Sequence, residues 1–389
     1  MVKYLKSRRK TDMDLSKIDL FMEKLPKNGF PACELSITKD GENIFRKSVG
    51  FSDSAKTKPA SNKDIYWIFS ASKVITCIAA MRLVEAGLIG LDDPVSKYIP
   101  EYANMNILNK DGSLTPAKNP MTILHLFTMT GGMNYDIKSK SILESADKTT
   151  LGLVRAMAKE PLSFEPGSHY KYSLCHDVLA AVVEVVSGMR YSEYLEKNIF
   201  KPLGIKDMGF RPTEEQKKRF SALYKYSNGT KTARECPVHC AYTLSDEYDS
   251  GGAGLFSTVD EYMKIITVVA CGGTTKDGYQ LLKPETIESM GINRMCDDAL
   301  NDFSSSRFFG YGWGLCGRAH MDPEYSLSKS PVGEFGWDGA ACAYVMIDPK
   351  NRIAMYFGTH IHSCNYGYHK VHPTLRDLLY EALEEEDGN

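Results

Sequence analysis

A serine and a lysine three residues apart can act as a nucleophile and its proton acceptor, and this spacing recurs along the chain. Such side chains share a face on a helix, whereas on a strand they point to opposite faces. The amine is useful only where burial partly removes it from water. Ser70 and Lys73 meet both conditions, because apolar residues flank them and continue at helical spacing. The pair at Ser36 falls on a predicted strand, and the pairs at Ser168 and Ser326 lie in polar, loop-like sequence.

The segment around Ser70 also has a purely structural interpretation. Ser70 or Ser72 can cap the helix while Lys73 reaches solvent, which is common at helix N-termini. The spacing does not decide between the two interpretations. The G-x-S-x-G and H-E-x-x-H motifs of other hydrolases are absent from the sequence. Ser70 and Lys73 are therefore the candidate nucleophilic pair of this chain.

The composition is that of a protein with a packed core and no strong charge field. Hydrophobic residues make up 43% of the 389 residues and charged residues 25%. The 47 Lys and Arg nearly balance the 49 Asp and Glu, for a net charge of −2. A nearly neutral chain has no global field to attract nucleic acid or an anionic membrane. We therefore expect a small-molecule ester or amide substrate and neither of those partners, and the sequence leaves the oligomeric state open.

The N-terminal residues and the ten cysteines bear on location. The first ten residues are basic, but no apolar run of signal-peptide length follows them. No stretch is long and apolar enough for a transmembrane helix. Without export, the thiols are expected to stay reduced. These features predict a cytoplasmic protein.

Periodicity predicts the elements that hold the candidate pair. Two strands over 33–38 and 43–50 alternate apolar and polar residues around an Asp-Gly hairpin signal at 40–41. A buried helix begins near Ser70, and Gly87 stands where a C-terminal capping glycine is expected. The nucleophile is thus predicted at the start of a buried helix.

The remainder of the chain is predicted as a helical middle followed by strands. A well-patterned helix over 177–187 stops at Gly188. Strands over 341–347 and 353–359 precede a final helix over 373–385.

Strands at both ends with helices between them predict an α+β fold. We expect a sheet subdomain made from residues 1–85 and 250–389, and a mostly helical inserted subdomain over 86–249. Together they would form one catalytic unit.

Blocks along the chain resemble, in order, the motif regions of β-lactamase-related, penicillin-binding-protein-like serine hydrolases. The blocks are residues 69–76, 83–95, 121–132, 166–179, 199–210, 250–262 and 335–341. Their shared order over roughly residues 30–360 is more specific than any single block. The resemblance implies a β-lactamase/transpeptidase-like fold, with an antiparallel sheet flanked by helices and a mostly helical subdomain. It implies neither a cofactor nor a metal.

The resemblance also implies roles for individual residues. It makes Ser70 the nucleophile, Lys73 its activating partner and Tyr172 the residue that shuttles a proton. In the third motif, Trp337-Asp-Gly, the backbone N–H of Ala340 would join that of Ser70 as the oxyanion hole. Gly339 would allow the close backbone approach that this requires. Which of Lys73 and Tyr172 is the base stays open.

Departures from the family pattern bear on the substrate. Leu174 stands where β-lactam-hydrolysing members carry Asn, and Trp337 stands where they carry Lys. These replacements remove two polar groups that hold a substrate amide and carboxylate. Both resemble the esterase and acyltransferase branch, the family VIII carboxylesterases and related acyltransferases. Together with Asp338, Gly339 and His360, the two residues are predicted to line the substrate site.

The predicted activity is that of a serine hydrolase acting on small carboxylic esters through an acyl-enzyme, with water or an alcohol as the acceptor. One alternative is a class C type β-lactamase or D-Ala-D-Ala carboxypeptidase. A second alternative is a non-catalytic sensor that binds an acyl group without turnover. The presence of all three catalytic residues argues against the sensor.

Two clusters of histidines and cysteines could instead bind a metal ion. They are His360, His362, Cys364, His369 and His372 near the C-terminus, and Cys236, His239 and Cys240 in the middle of the chain. Neither has the closed spacing of a zinc finger. We expect no metal site, with these histidines on the surface or lining the cleft.

Overall fold

The computed structural model describes residues 13–304 and 308–387, so the basic segment over 1–10 lies outside the described residues. The helices are α1 Ser16–Lys24, α2 Ser72–Glu85, α3 Ile123–Thr128, α4 Lys140–Leu143, α5 Thr150–Met157, α6 Cys175–Ser187, α7 Tyr191–Leu195, α8 Glu214–Lys217, α9 Val259–Ala270, α10 Pro284–Met290, α11 Asp297–Ser304, α12 Pro323–Ser326 and α13 His372–Asp387. The strands are β1 Ala32–Lys39, β2 Glu42–Gly50, β3 Tyr66–Trp67, β4 Asn106–Leu108, β5 Leu114–Pro116, β6 Met208–Gly209, β7 Leu223–Ser227, β8 Thr232–Cys236, β9 Phe256–Ser257, β10 Tyr311–Gly314, β11 Gly317–His320, β12 Phe335–Gly336, β13 Tyr344–Asp348, β14 Ile353–Thr359 and β15 Ile361–His362.

A seven-stranded antiparallel sheet combines strands from both ends of the chain. Its order is β10-β11-β12-β13-β14-β1-β2, so the first strand of the chain lies between β14 and β2. The β1–β2 turn has positive φ at Asp40 (53°) and Gly41 (81°), as a two-residue hairpin turn requires. The hairpin predicted from the Asp-Gly pair is confirmed.

Alternation along the central strands gives the sheet two buried faces. On β14, Met355 and Phe357 belong to one apolar cluster, which also contains residues of α1 and α13. Ala354 and Tyr356 belong to the other cluster, and Tyr356 stacks on Tyr262 of α9 with ring centroids 4.4 Å apart. Because side chains alternate along a strand, each apolar set meets helices on its own side. The predicted layering of helices on an antiparallel sheet is confirmed.

The second apolar cluster extends from the sheet into the helical part. It contains α2 together with α3, α5 and α6, so one core joins the sheet to the helices that follow the candidate nucleophile. α6 ends at Gly188 with φ 66°, as the glycine predicts. The proposed subdomain boundaries at 85/86 and 249/250 stay a prediction.

The strand predicted over 341–347 begins later than expected. Gly339 N–H donates to Ala343 O (2.9 Å) and Cys342 N–H donates to Gly339 O (2.8 Å), which closes a tight turn. Cys342 has φ 68°, outside the range of a strand. The prediction was therefore wrong at this boundary, and β13 starts only at Tyr344.

The middle of the chain also contains a hairpin that the sequence analysis missed. β7 and β8 pair antiparallel, and β15 joins β7 in parallel to complete a three-stranded sheet. In the described part of the chain, no helix is long and apolar enough to cross a membrane.

Candidate active site

Ser70 lies in a single 3₁₀ turn, Phe69–Ala71, that leads directly into α2. Phe69 has φ 47°, a left-handed conformation that is rare for a bulky residue. Such strain persists only where the surroundings fix the backbone. Here the Phe69 ring packs against His362, with ring centroids 4.8 Å apart. The turn presents Ser70 at the start of the helix, and the residue is only 7% exposed.

Lys73 is buried in the first turn of α2, with an exposure of 1%. Its Nζ donates to the carbonyl oxygen of Gly252 at 2.7 Å. The same amine lies 3.4 Å from the Oγ of Ser70 and 3.4 Å from the hydroxyl of Tyr135. The alternative in which Lys73 reaches solvent is therefore wrong.

Two tyrosines lie beside this amine. The rings of Tyr135 and Tyr172 stack with centroids 5.3 Å apart, and Lys73 Nζ lies 4.6 Å from the centroid of Tyr172. The indole N–H of Trp337 donates to the hydroxyl oxygen of Tyr172 at 3.0 Å. The Tyr172 hydroxyl thus accepts a hydrogen bond from Trp337, and the Tyr172 ring faces the Lys73 amine.

Tyr135 was missed by the sequence analysis. Burial raises the pKa of its hydroxyl well above the ordinary value, so Tyr135 keeps its proton while its oxygen accepts from Lys73 Nζ. Its position three residues after the block ending at Gly132 was the available signal. That signal is weak, because the contact with Lys73 depends on how this loop packs on α2.

The backbone N–H groups of Ser70 and Ala340 are both available. Among residues 13–304 and 308–387, neither group donates a hydrogen bond. A Cβ on Gly339 would lie 2.4 Å from the carbonyl oxygen of Ile68, so the third motif packs directly against the segment before Ser70. The hydroxyl of Tyr368 donates to the carbonyl oxygen of Gly339 at 2.8 Å, which is on the opposite side of the peptide group that carries the Ala340 N–H. The third motif thus lies next to the Ser70 turn, and the oxyanion hole of Ser70 and Ala340 stays a prediction.

Trp337 and Asp338 point to opposite sides of their segment. Trp337 faces Tyr172 and packs on Trp313, with ring centroids 4.3 Å apart. Asp338 is 6% exposed, and its Oδ1 lies 3.4 Å from Nη1 of Arg318. Since adjacent residues of an extended segment alternate in direction, only one of the two can face the cleft. The predicted substrate contact of Asp338 does not fit this ion pair.

Leu174 and His360 are also buried. Leu174 is 1% exposed and belongs to the large apolar cluster. His360 is 2% exposed, and its Nδ1 lies 2.9 Å from the carbonyl oxygen of Ser221. Burial lowers the pKa of His360 to about 3, so the imidazole is neutral. Neither position favours the predicted contact with substrate; His362, whose Nδ1 lies 3.2 Å from Ala340 O, is nearer the third motif.

The histidine and cysteine clusters do not converge on a common point. Within the described ranges, no group of three or more His, Cys, Asp or Glu side chains is placed to hold a metal ion.

Two curated relatives match most of the chain. Esterase EstB of Burkholderia gladioli is 27% identical over 330 residues, covering 78% of this chain and 79% of the relative. A putative D-alanyl-D-alanine carboxypeptidase of Salmonella typhimurium is 28% identical over 375 residues, covering 88% of this chain and 81% of the relative.

Solved structures share the fold. The structure of EstCE1, described as a hydrolase with promiscuous acyltransferase activity, superposes with a TM-score of 0.77 and 22% identity. The match covers 94% of this chain and 98% of that one. The predicted β-lactamase/transpeptidase-like fold is confirmed.

The family comparison covers almost the whole described chain. The Beta-lactamase family model matches residues 17–363, which include the 3₁₀ turn of Ser70, the segment of Tyr172 and the third motif. The chain therefore belongs to the Beta-lactamase family.

Proposed function

We propose that the protein is a serine hydrolase that acts on small carboxylic esters through an acyl-enzyme on Ser70. The observation that carries this proposal is the buried amine of Lys73, 3.4 Å from the Ser70 hydroxyl. In this proposal the oxyanion binds the backbone N–H groups of Ser70 and Ala340, which donate no hydrogen bond among the described residues. The names of EstB and EstCE1 support an esterase or acyltransferase.

The reaction has two acyl-transfer steps. In the first, the Oγ of Ser70 attacks the ester carbonyl carbon while its proton passes to the Lys73 and Tyr172 pair. The N–H groups of Ser70 and Ala340 bind the oxyanion of the tetrahedral intermediate. The pair then returns the proton to the leaving alkoxide, and the alcohol departs.

In the second step, water or another alcohol attacks the acyl-enzyme. The Lys73 and Tyr172 pair removes the proton of the attacking group and returns it to Ser70. Tyr135 accepts a hydrogen bond from Lys73 through its neutral hydroxyl, and the proton transfer is assigned to Tyr172, whose oxygen accepts from Trp337.

The third motif favours esters over charged substrates. Trp337 packs against Trp313 and Phe308, so an aromatic wall stands where a Lys would offer an ammonium. An apolar wall suits an apolar acyl or alcohol group. The buried Leu174 offers no amide to a substrate peptide bond.

The principal test is the change Ser70→Ala. We expect the wild-type protein to hydrolyse p-nitrophenyl esters and to be labelled by a fluorophosphonate at Ser70. Ser70→Ala should lose both, because the nucleophile is gone. Ser328→Ala, at a buried serine outside the site, is the matched control and should retain both. Esterase activity retained by a folded Ser70→Ala would overturn the proposal.

The carboxypeptidase named among the relatives supplies the second candidate function. Short-chain esters, a chromogenic cephalosporin and a D-Ala-D-Ala peptide assayed side by side would separate it from an esterase. A burst followed by steady turnover would exclude the acyl-binding sensor, which should stop at one acyl group per molecule. The cytoplasmic location stays a prediction.

A further inference from the structure

We infer that Asp177 is a positioning residue for Lys73, acting across Gly252 as the carboxylate that balances the buried amine. This inference rests on the proposed function, because it assigns a partner to the same catalytic pair. Asp177 lies in the first turn of α6, five residues after Tyr172, and is 1% exposed.

The two oxygens of Asp177 have different surroundings. Oδ1 accepts hydrogen bonds from the hydroxyls of Tyr248 (2.7 Å) and Ser250 (2.6 Å). Oδ2 is buried and makes no hydrogen bond within the described residues. Burying an unpaired carboxylate oxygen is costly unless a nearby charge compensates. The two hydroxyls thus orient the carboxylate so that its unbonded oxygen faces the amine side.

Gly252 defines the space between the carboxylate and the amine. Lys73 Nζ donates to its carbonyl oxygen. A Cβ placed on Gly252 would lie 2.4 Å from Asp177 Oδ2 and 3.4 Å from Lys73 Nζ. Asp177 Oδ2 and Lys73 Nζ therefore both lie within 3.4 Å of one point beside Gly252. A side chain at this position would push the carboxylate away from the amine.

Six other titratable groups around this pair are neutral near pH 7. Burial raises the pKa of the Cys77 thiol, of the Cys175 thiol to about 11, and of the hydroxyls of Tyr135, Tyr242 and Tyr248, and it lowers the pKa of His176 to about 3. Tyr172 presents its ring to the amine. Asp177 thus supplies the negative charge that faces Lys73 from α6.

The test is the pH dependence of fluorophosphonate labelling in Asp177→Asn. The Asn oxygen can still accept from Tyr248 and Ser250, so the side chain keeps its orientation while an uncharged NH₂ group replaces Oδ2. We expect the acidic limb of the labelling rate to move to lower pH by about one unit. The direction is the same whether Lys73 or Tyr172 is the base, because losing a negative charge makes both groups release their protons more readily.

Two further variants separate the effect of the Asp177 charge from the effect of a change in local structure. Asp348→Asn changes another buried carboxylate that accepts from a tyrosine hydroxyl, that of Tyr380, and should leave the limb in place. Gly252→Ala keeps the charge but displaces Oδ2, and should shift the limb in the same direction by a smaller amount. This second variant tests the geometry even if Asp177→Asn folds poorly.

The outcomes distinguish this inference from the proposed function. If the wild-type protein is not labelled at Ser70, the proposed function fails. Suppose that the wild-type protein is labelled, but that both Asp177→Asn and Gly252→Ala keep the wild-type acidic limb or lower the labelling rate equally at every pH. Then the assignment of Asp177 is overturned, and the proposed function is not.

Discussion

The two buried cations Lys73 and Arg318 are held in opposite ways. Arg318, 3% exposed, contacts Glu334 (3.1 Å), Asp338 (3.4 Å) and the carbonyl of Val345 (3.0 Å). Lys73, 1% exposed, contacts one carbonyl and two hydroxyls, and no carboxylate of the described residues forms an ion pair with it. A buried cation that is paired with carboxylates, like Arg318, stabilises the fold, whereas a cation that contacts hydroxyls, like Lys73, can exchange protons with them.

Lys73→Met should give the largest effect on activity. Removing a member of a nucleophile and base pair lowers kcat/KM by about 10³-fold or more. The free energy of unfolding should fall less than in Arg318→Met, because the amine is in no ion pair of the described residues and Asp177 loses only the charge that faces it across Gly252. Ester hydrolysis and urea unfolding measure the two quantities. A large loss of stability with activity retained would contradict the comparison.

Arg318→Met should reverse this pattern. The change leaves Glu334 and Asp338 buried without their cation, which is expected to lower the free energy of unfolding by about 3–5 kcal/mol. Activity of the folded fraction should fall far less than in Lys73→Met. If Arg318→Met were as stable as the wild-type protein, the ion pairs would not be structural.

Trp337→Phe tests the segment that lies between the two cations. Trp337 contacts Tyr172 beside Lys73, and the next residue, Asp338, pairs with Arg318. The indole N–H to Tyr172 is lost while the ring packing is largely kept, so we expect about a tenfold lower kcat with little change in stability. The matched control is Trp313→Phe, whose indole N–H donates to Phe127 O and should affect stability more than kcat. Equal effects of the two changes would argue against a role for the Tyr172 contact.

Local patterns predicted the parts of this molecule that depend on local structure. The Asp40-Gly41 turn and the Gly188 helix end follow from backbone preferences of single residues. Ser70 and Lys73 were found because helical periodicity places them on one face. The Tyr135 contact was not found, because it depends on a loop that packs on α2 from elsewhere in the chain.

Motif resemblance gave positions but not side-chain directions. Asp338 and Leu174 fall in motif segments and His360 follows a neighbouring strand, yet all three side chains are buried, and Asp338 pairs with Arg318. For Asp338, alternation with Trp337 was enough to predict the opposite direction. For Leu174 and His360, the burial follows from helix and sheet packing that no short segment specifies.

The position of β1 between β14 and β2 also has a consequence for synthesis. β1 is complete by Lys39, but its partner strand β14 begins only at Ile353. At about 5–20 residues per second, a ribosome needs roughly 15–60 s to make the intervening chain. Throughout that interval the β1–β2 hairpin has one edge that its native partner cannot yet cover. We therefore expect that chaperones must shield this edge from pairing with other chains during synthesis. The yield of folded protein in a cell should then depend on the amount of chaperone, even though the finished fold is stable.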